Sequence, residues 1–268
     1  MNIQRNARFC ENNYIETSTV TAPEVGPYLF SNSYDLVNRN KLYKPGTKQF
    51  TIEIDTTSNT SNISFFSILG ASNDKFKLSD SAVITLKANS INLFTGGEPF
   101  SKAVEVGELG AYLNVATSNY PDGLNYRYWQ IVIDDQYNPN DIEIAYIYLG
   151  DHTIIHRNIR NGFGYTVVDR TLRGVSDSGK VFSLRKPEQT VINAQSRQLM
   201  SETDKKNIIA MGRRVGLHTP FLYVLDPDEC NTDLDFSVRP VYFDRQVPVI
   251  RQVVNDLYAA SYSLREVL

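Results

Sequence analysis

Arg127-Tyr-Trp-Gln-Ile-Val-Ile-Asp134, the linker Asp135-Gln-Tyr-Asn-Pro-Asn-Asp141 and then Ile142-Glu-Ile-Ala-Tyr-Ile-Tyr-Leu-Gly150 carry the pattern that decides the fold of this chain. Both flanking stretches are rich in β-branched and aromatic side chains, which suit a pleated, half-buried surface, and the linker is made of turn residues. They are expected to form two consecutive strands of an antiparallel sheet, each with one buried face. Trp129, the single Trp of the chain, stands mid-strand, which places its indole in the core.

The same texture recurs on the N-terminal side. Phe50-Thr-Ile-Glu-Ile-Asp55, Ile63-Ser-Phe-Phe-Ser-Ile-Leu69, Ala82-Val-Ile-Thr-Leu-Lys87 and Ala111-Tyr-Leu-Asn-Val115 read as strands, separated by polar stretches and by the turn Thr95-Gly-Gly-Glu-Pro99. Roughly eight short strands with turn-bounded spacing predict a β-sandwich over 1–155 rather than a parallel sheet. The Asn-, Ser- and Pro-rich stretch from Thr17 to Pro45 reads as long surface loops.

The texture changes over 156–268. Asn161-Gly-Phe-Gly-Tyr165 and Arg173-Gly-Val-Ser-Asp-Ser-Gly179 read as glycine turns, and Lys180–Arg185 and Gln189–Ala194 as strands. One helix is signalled over 201–216. Ser201-Glu-Thr-Asp204 can form a capping box, Arg213-Arg214 suit the negative end of the helix dipole, and Gly216 suits the C-terminal cap. Ile208, Ile209, Met211 and Val215 give its apolar face. Thr219–Asp226, Val247–Val254 and Tyr258–Val267 read as further strands, the last long enough to pair with a neighbour's sheet edge.

Length and composition exclude several classes. At 268 residues the chain can bury a sizeable core, and 16 Tyr favour strands. A net charge of −3, with 27 basic residues spread among 30 acidic ones, leaves no footprint for nucleic acid. Cys10 and Cys230 do not make a secreted disulfide framework and read as reduced thiols. The first ten residues have no apolar core of a signal peptide, and no apolar run is long enough to span a membrane. The acceptor motifs at Asn59 and Asn62 matter only in a secreted eukaryotic protein.

Candidate chemistry is sparse. His152-x-x-x-His156 has the spacing that would put two imidazoles on one helix face for zinc, but Thr153-Ile-Ile155 makes the segment extended and nothing nearby completes a ligand set. His218, between helix and strand, has no Gly-x-Ser-x-Gly elbow to serve, and neither Cys10 nor Cys230 has a local nucleophile signature. Asp134-Asp135, Asp226-Pro-Asp-Glu229 and Asp233-x-Asp235 could bind Ca²⁺ or act as a glycosidase pair, but Asp after a strand also caps turns through its own main chain. No catalytic, cofactor or metal residue is assigned, and no enzymatic activity is expected. The tyrosines 126, 128, 137, 146 and 148 around Trp129 suit either a sandwich core with its wet strand faces or a sugar platform.

At Arg127-Tyr-Trp-Gln and Tyr148-Leu-Gly150 the chain resembles tail proteins of long-tailed bacteriophages, in which an Arg-Tyr-Trp-Arg strand precedes a strand ending in Leu-Gly. The helix at 201–216 followed by Pro220-Phe-Leu-Tyr-Val-Leu-Asp-Pro227, and the close Leu257–Val267 with Leu264-Arg-Glu266, resemble the same family. The resemblance implies a discoidin or galactose-binding-like jelly roll at 1–155 and a β-rich segment at 156–268. It further implies a structural virion protein of a tail tip or baseplate, assembled in the host bacterial cytoplasm. Its expected partners are copies of itself in a symmetric ring and other tail proteins (tube, hub, fibres), without nucleic acid or membrane insertion. The alternative is a carbohydrate-binding module that touches host glycan through sandwich loops.

Overall fold

The computed structural model describes residues 8–34, 36, 42–57, 62–70, 78–79, 81–107, 110–116, 123–154, 164–186, 188–195, 201–225, 238–245, 248–254 and 257–267. In chain order the strands are β1 (Arg8–Cys10), β2 (Thr19–Thr21), β3 (Gln49–Asp55), β4 (Phe65–Leu69), β5 (Val83–Asn89), β6 (Phe100–Val106), β7 (Gly110–Asn114), β8 (Tyr128–Asp134), β9 (Tyr146–Gly150) and β10 (Thr153–Ile154). They continue with β11 (Gly164–Val168), β12 (Leu172–Val175), β13 (Val181–Leu184) and β14 (Gln189–Gln195). After the helix α1 (Glu202–Val215) come β15 (Phe221–Val224), β16 (Val238–Phe243), β17 (Val249–Val254) and β18 (Leu257–Glu266). The fold is mainly β and antiparallel, a jelly-roll-like sandwich followed by a β-rich segment with one α-helix.

The chain divides into two compact units, 1–154 with 221–239, and 155–220 with 240–268. The stretch 221–239 therefore belongs with the first unit, not with the segment at 156–268. The physical reason is β15: Phe221, Leu222, Tyr223 and Val224 are all buried, and the strand pairs with β1.

In the first unit the strand order is β2-β3-β8-β5-β6-β7-β4-β9. β6 makes the fold-over, because Phe100–Val104 pair with β5 while Glu105 and Val106 pair with β7. Rows of inward side chains run across β3, β8 and β5: Phe50–Ile133–Ile84, Ile52–Ile131–Leu86 and Ile54–Trp129–Ala88. In the last row the large indole stands beside the small Ala88, and its Nε1–H donates to Tyr126 O at 2.8 Å. Phe66, Ile68, Ala111, Ile147 and Leu149 of the other sheet complete the same core.

β8 and β9 are consecutive strands of one antiparallel sheet, as expected, but they do not pair with each other. β8 is flanked on both edges by β3 and β5, so no edge is left for β9, which pairs with β4. The linker crosses from one layer of the folded-over sheet to the other. The stretch from Thr17 to Pro45 also carries β2 and a 3-10 turn at Phe30–Tyr34.

The sheet β7-β4-β9 is buried on both faces. Opposite the sandwich core, Phe65, Leu69, Tyr112, Tyr146 and Tyr148 form an aromatic layer covered by Cys10, Leu222, Val224 and Val238. Two-faced burial explains why β4 and β9 read as near-continuous apolar runs. Asn13 pins the edge of β9: its Nδ2 donates to Ile147 O at 2.8 Å, and its Oδ1 accepts the Leu149 amide at 3.2 Å. Gly150 must lack a side chain, since a Cβ there would lie 1.9 Å from Asn12 O.

In the second unit β18 is central, paired with β14, with β17 and with Val241–Phe243 of β16. β14 also pairs with β11. Among the described residues β18 is paired with β14 over Ser261–Arg265, while along its other edge β17 takes Leu257–Ser261 and β16 takes Leu264–Glu266. The helix ends as expected: Ser201 Oγ accepts the Asp204 amide at 3.2 Å within a capping box, and Gly216 is the C-cap. Asp204, Ile208, Met211, Gly212 and Val215 form its buried face, with Ile209 half-buried beside it.

Trp129 is fully buried, so Trp129→Ala leaves both a cavity and lost contacts with Phe100 and Tyr126. The expected cost is about 3–5 kcal/mol, read as a lower denaturant midpoint in chemical unfolding; a midpoint unchanged from wild type would place the indole outside the core.

Candidate functional site

The residues singled out for chemistry do not converge. Asp135 is a turn cap: it is buried and accepts the Ser79 amide at 2.9 Å, Asn138 Nδ2 at 2.7 Å and the Ser79 hydroxyl. Asp134 closes β8, half-buried. His152 precedes β10, so the segment runs extended, and its Nδ1 lies 2.5 Å from Ser64 Oγ. That Ser–His contact gives no usable nucleophile, because Ser64 is 2% exposed and its hydroxyl cannot meet a substrate. His218 is exposed, and the Cys10 thiol is buried in the aromatic layer. Asn62 is exposed. Asn59, His156, Asp226, Asp228, Glu229, Cys230, Asp233 and Asp235 lie outside the described residues. Among the described residues there is no group of three or more His, Cys, Asp or Glu able to hold a metal ion, and no helix is long and apolar enough to cross a membrane.

The aromatic set divides by strand parity. Tyr146 and Tyr148 are buried, and burial holds the Tyr148 phenol well above its ordinary pKa, so it stays protonated and donates to Asp151 O at 2.5 Å. Tyr126 packs edge-on against Trp129, and Tyr137 stands in water. Tyr128 faces outward, with the Arg127 guanidinium 4.8 Å from its ring centre.

Around Tyr128 lies a cleft of about 170 Å³, lined by Thr19, Thr21, Glu53, Asp55 and Asn92 as well as the tyrosine. Its shape is set by the ends of β2, β3 and β8. Arg127 clamps Asp55 with two hydrogen bonds, Nε to Oδ1 at 2.7 Å and Nη2 to Oδ2 at 2.8 Å. Those bonds hold the Asp55 carboxyl below the usual carboxylate range, against a smaller opposing effect of desolvation. The cleft presents hydroxyls, carboxylates, an amide and one aromatic face, and it has room for about five or six waters at ~30 Å³ each.

The second surface was not anticipated. β12 and β13 form a two-stranded hairpin that, among the described residues, pairs with no other strand. Leu172 faces Leu184 and Gly174 faces Phe182 on one side, and Val175 faces Val181 on the other. Leu172, Val175, Val181, Phe182 and Leu184 are all between 54% and 72% exposed. The Phe182 ring lies on Gly174, where a Cβ would come within 2.3 Å of it. The tip is the loop Asp177-Ser178-Gly179, closed by Ser176 N to Lys180 O at 2.9 Å, with Gly179 at φ +76. That positive φ is what a three-residue hairpin loop requires. Reading Arg173–Gly179 as a glycine turn was half right: the turn begins at Ser176, and 173–175 are strand. The signal was present in Leu172 and Val175, which mirror Val181 and Leu184 about the loop.

An isolated two-stranded hairpin is marginal in water, and one that carries apolar side chains on both faces is under pressure to be covered.

No protein-family model matches the chain, and no curated protein does. Among solved structures it is similar to CpGH89 CBM32-6 produced by Clostridium perfringens, at 13% identity, covering 52% of this chain and 99% of that one with a TM-score of 0.36. CBM62 from Clostridium thermocellum Xyl5A is 15% identical, covering 50% and 94%, with a TM-score of 0.31. The tail of an empty GTA particle is 11% identical, covering 44% and 82%, with a TM-score of 0.27. Likenesses this distant carry no argument about what the chain does.

The Asp55 clamp has a pH signature. Because its folded pKa is depressed, its contribution is fully present above the unfolded value of about 3.9 and is lost as pH falls through the lower folded value. Asp55→Asn is therefore expected to lower the thermal midpoint more at pH ~6 than at pH ~2, which lies below the unfolded carboxyl's range. Equal midpoints at both pH values would mean that the clamp adds nothing to stability.

Proposed function

We propose that this chain is a structural virion protein of a long-tailed bacteriophage, a subunit of the tail tip or baseplate that closes into a symmetric ring through its β12–β13 hairpin. The observation that carries the reading is the hairpin, with five large apolar side chains left in water on an element that, among the described residues, pairs with no other strand. The strand textures at Arg127–Asp134 and Ile142–Gly150 support the tail assignment through their resemblance to that family.

Magnitudes favour a ring over a simple pair. Fully covering a Val, Leu or Phe side chain contributes about 1.5–3 kcal/mol, so finishing the burial of these five contributes roughly 5–9 kcal/mol. Association costs about 4–15 kcal/mol in lost freedom. One hairpin contact alone is near balance. In a closed ring every subunit gives one contact and receives one, and the closing contact is intramolecular. The ring works by protein contacts with tube, hub and fibre proteins, is assembled in the bacterial cytoplasm, and carries out no catalytic step.

The cleft beside Tyr128 favours a second reading, binding of host carbohydrate. An aromatic face with carboxylate, amide and hydroxyl groups around it is the chemistry that a sugar ring engages, with its C–H face on the ring and its hydroxyls on the polar groups.

Native mass spectrometry and light scattering of the full chain are expected to find a concentration-dependent ring. Val181→Ser with Phe182→Ser should weaken it by about tenfold or more, with the thermal midpoint unchanged because neither side chain is in a core. An unaltered assembly in that variant would rule out the hairpin contact. Binding on a glycan array that is abolished by Tyr128→Ala, from a chain that stays monomeric, would favour the second reading instead.

A further inference from the structure

The second unit holds a trough of about 380 Å³ on one face of β11, β14 and β18. Val168 and Val191 give it an apolar floor, and Thr166, Asn193 and Ser263 supply hydroxyl and amide groups. At its end stand Arg265 and Arg245, with Asp244 between them. The Asp244 side chain is 7% exposed; it accepts Arg265 Nε and lies 3.6 Å from Arg245 Nε. Gln189 Oε1 accepts Arg265 Nη1 at 3.2 Å, and Gln189 is itself held by Glu266 O at 2.7 Å. Strand alternation turns the Glu266 side chain to the other face, where it accepts the Thr190 amide at 3.2 Å.

One buried carboxylate thus holds Arg265 and lies beside Arg245, and cancels only one of their charges. Arg245 is 85% exposed at the rim. That surplus of positive charge beside hydroxyl and amide groups suits one carboxylate on a small polar segment.

We infer that its occupant is the hairpin tip of the neighbouring copy, with Asp177 set between Arg245 and Arg265. The inference rests on the ring reading above and names the contact that sets its register. In a contact between identical copies the occupant must come from this same sequence. Asp177 is an exposed carboxylate at the end of an unpaired hairpin, flanked by Ser176 and Ser178. Asp169, at the hairpin base, is already engaged by the Thr171 amide at 2.8 Å. Four strand residues and the turn project roughly 15 Å at ~3.3 Å per residue, enough to enter an adjoining molecule. The trough holds about a dozen waters at ~30 Å³ each, the scale of a turn rather than of a folded element. The tip of one copy and the trough of the next are different surfaces, so in the ring reading the same contact repeats head-to-tail from copy to copy.

The test is a charge exchange in the full-length chain, read by light scattering and native mass spectrometry. Asp177→Arg and Arg245→Asp should each raise the concentration needed for half-association by about tenfold or more, and together they should restore it to within about threefold of wild type. Asp177 is exposed, so Asp177→Arg should leave the thermal midpoint unmoved. Asp141→Arg, the same charge change on an exposed residue of the first unit, should leave association unchanged. If Asp177→Arg associates like wild type, or the double exchange fails to restore, the pairing is wrong while the ring stands. If the wild-type chain is monomeric throughout, the ring reading falls and the pairing with it.

Discussion

Phe66, Ile68, Ile147 and Leu149 on one side, and Phe65, Leu69, Tyr146 and Tyr148 on the other, leave the sheet β7-β4-β9 without a face in water. A sheet of that kind must be covered twice. The first cover is the opposing sheet β3-β8-β5, whose Ile and Trp rows meet it in the sandwich core. The second comes from the ends of the unit's two chain segments, Cys10 of β1 with Leu222 and Val224 of β15. The discontinuity of the first unit follows from this: the chain leaves at 154 and returns at 221 because the aromatic layer needs a lid.

That saturated interior sets off what is exposed. In the first unit most large apolar side chains sit in a core, with Val83, Ile91 and Leu93 among those left exposed, and the polar edge near Tyr128 is organised by the Arg127–Asp55 clamp. In the second unit the β12–β13 hairpin carries five exposed large apolar side chains on one paired element. The proposed contact with another chain would cover Phe182 and Val181, which stand in solvent.

Much of the fold was legible in the sequence because two kinds of signal are local. Alternation marked β3, β5 and β8, where one face is buried and the next wet. Ser201, Asp204 and Gly216 marked both ends of α1 through hydrogen bonds within a few residues. Pairing was less legible, because it is decided by which edges remain free. Nothing within Arg127–Gly150 reveals that β8 is already flanked by β3 and β5. The C-terminal strand shows the same limit: a run such as Tyr258–Val267 reads alike whether its edge is free or, as over Ser261–Arg265, taken by β14. The hairpin was missed because Gly174 reads as a turn residue, whereas in the fold it makes room for the Phe182 ring. The cleft beside Tyr128 joins residues from 19 to 128 in sequence, and no spacing rule links them.

The most direct test of the assembly reading is hydrogen–deuterium exchange over residues 172–184, followed as the protein is concentrated. A two-stranded hairpin with no further pairing exchanges quickly in a monomer, because its amides open without unfolding anything else. The account predicts fast exchange in dilute solution and protection of this segment as the oligomer forms, with the sandwich strands unchanged. Exchange in 172–184 that stays fast after the protein has oligomerised would contradict it.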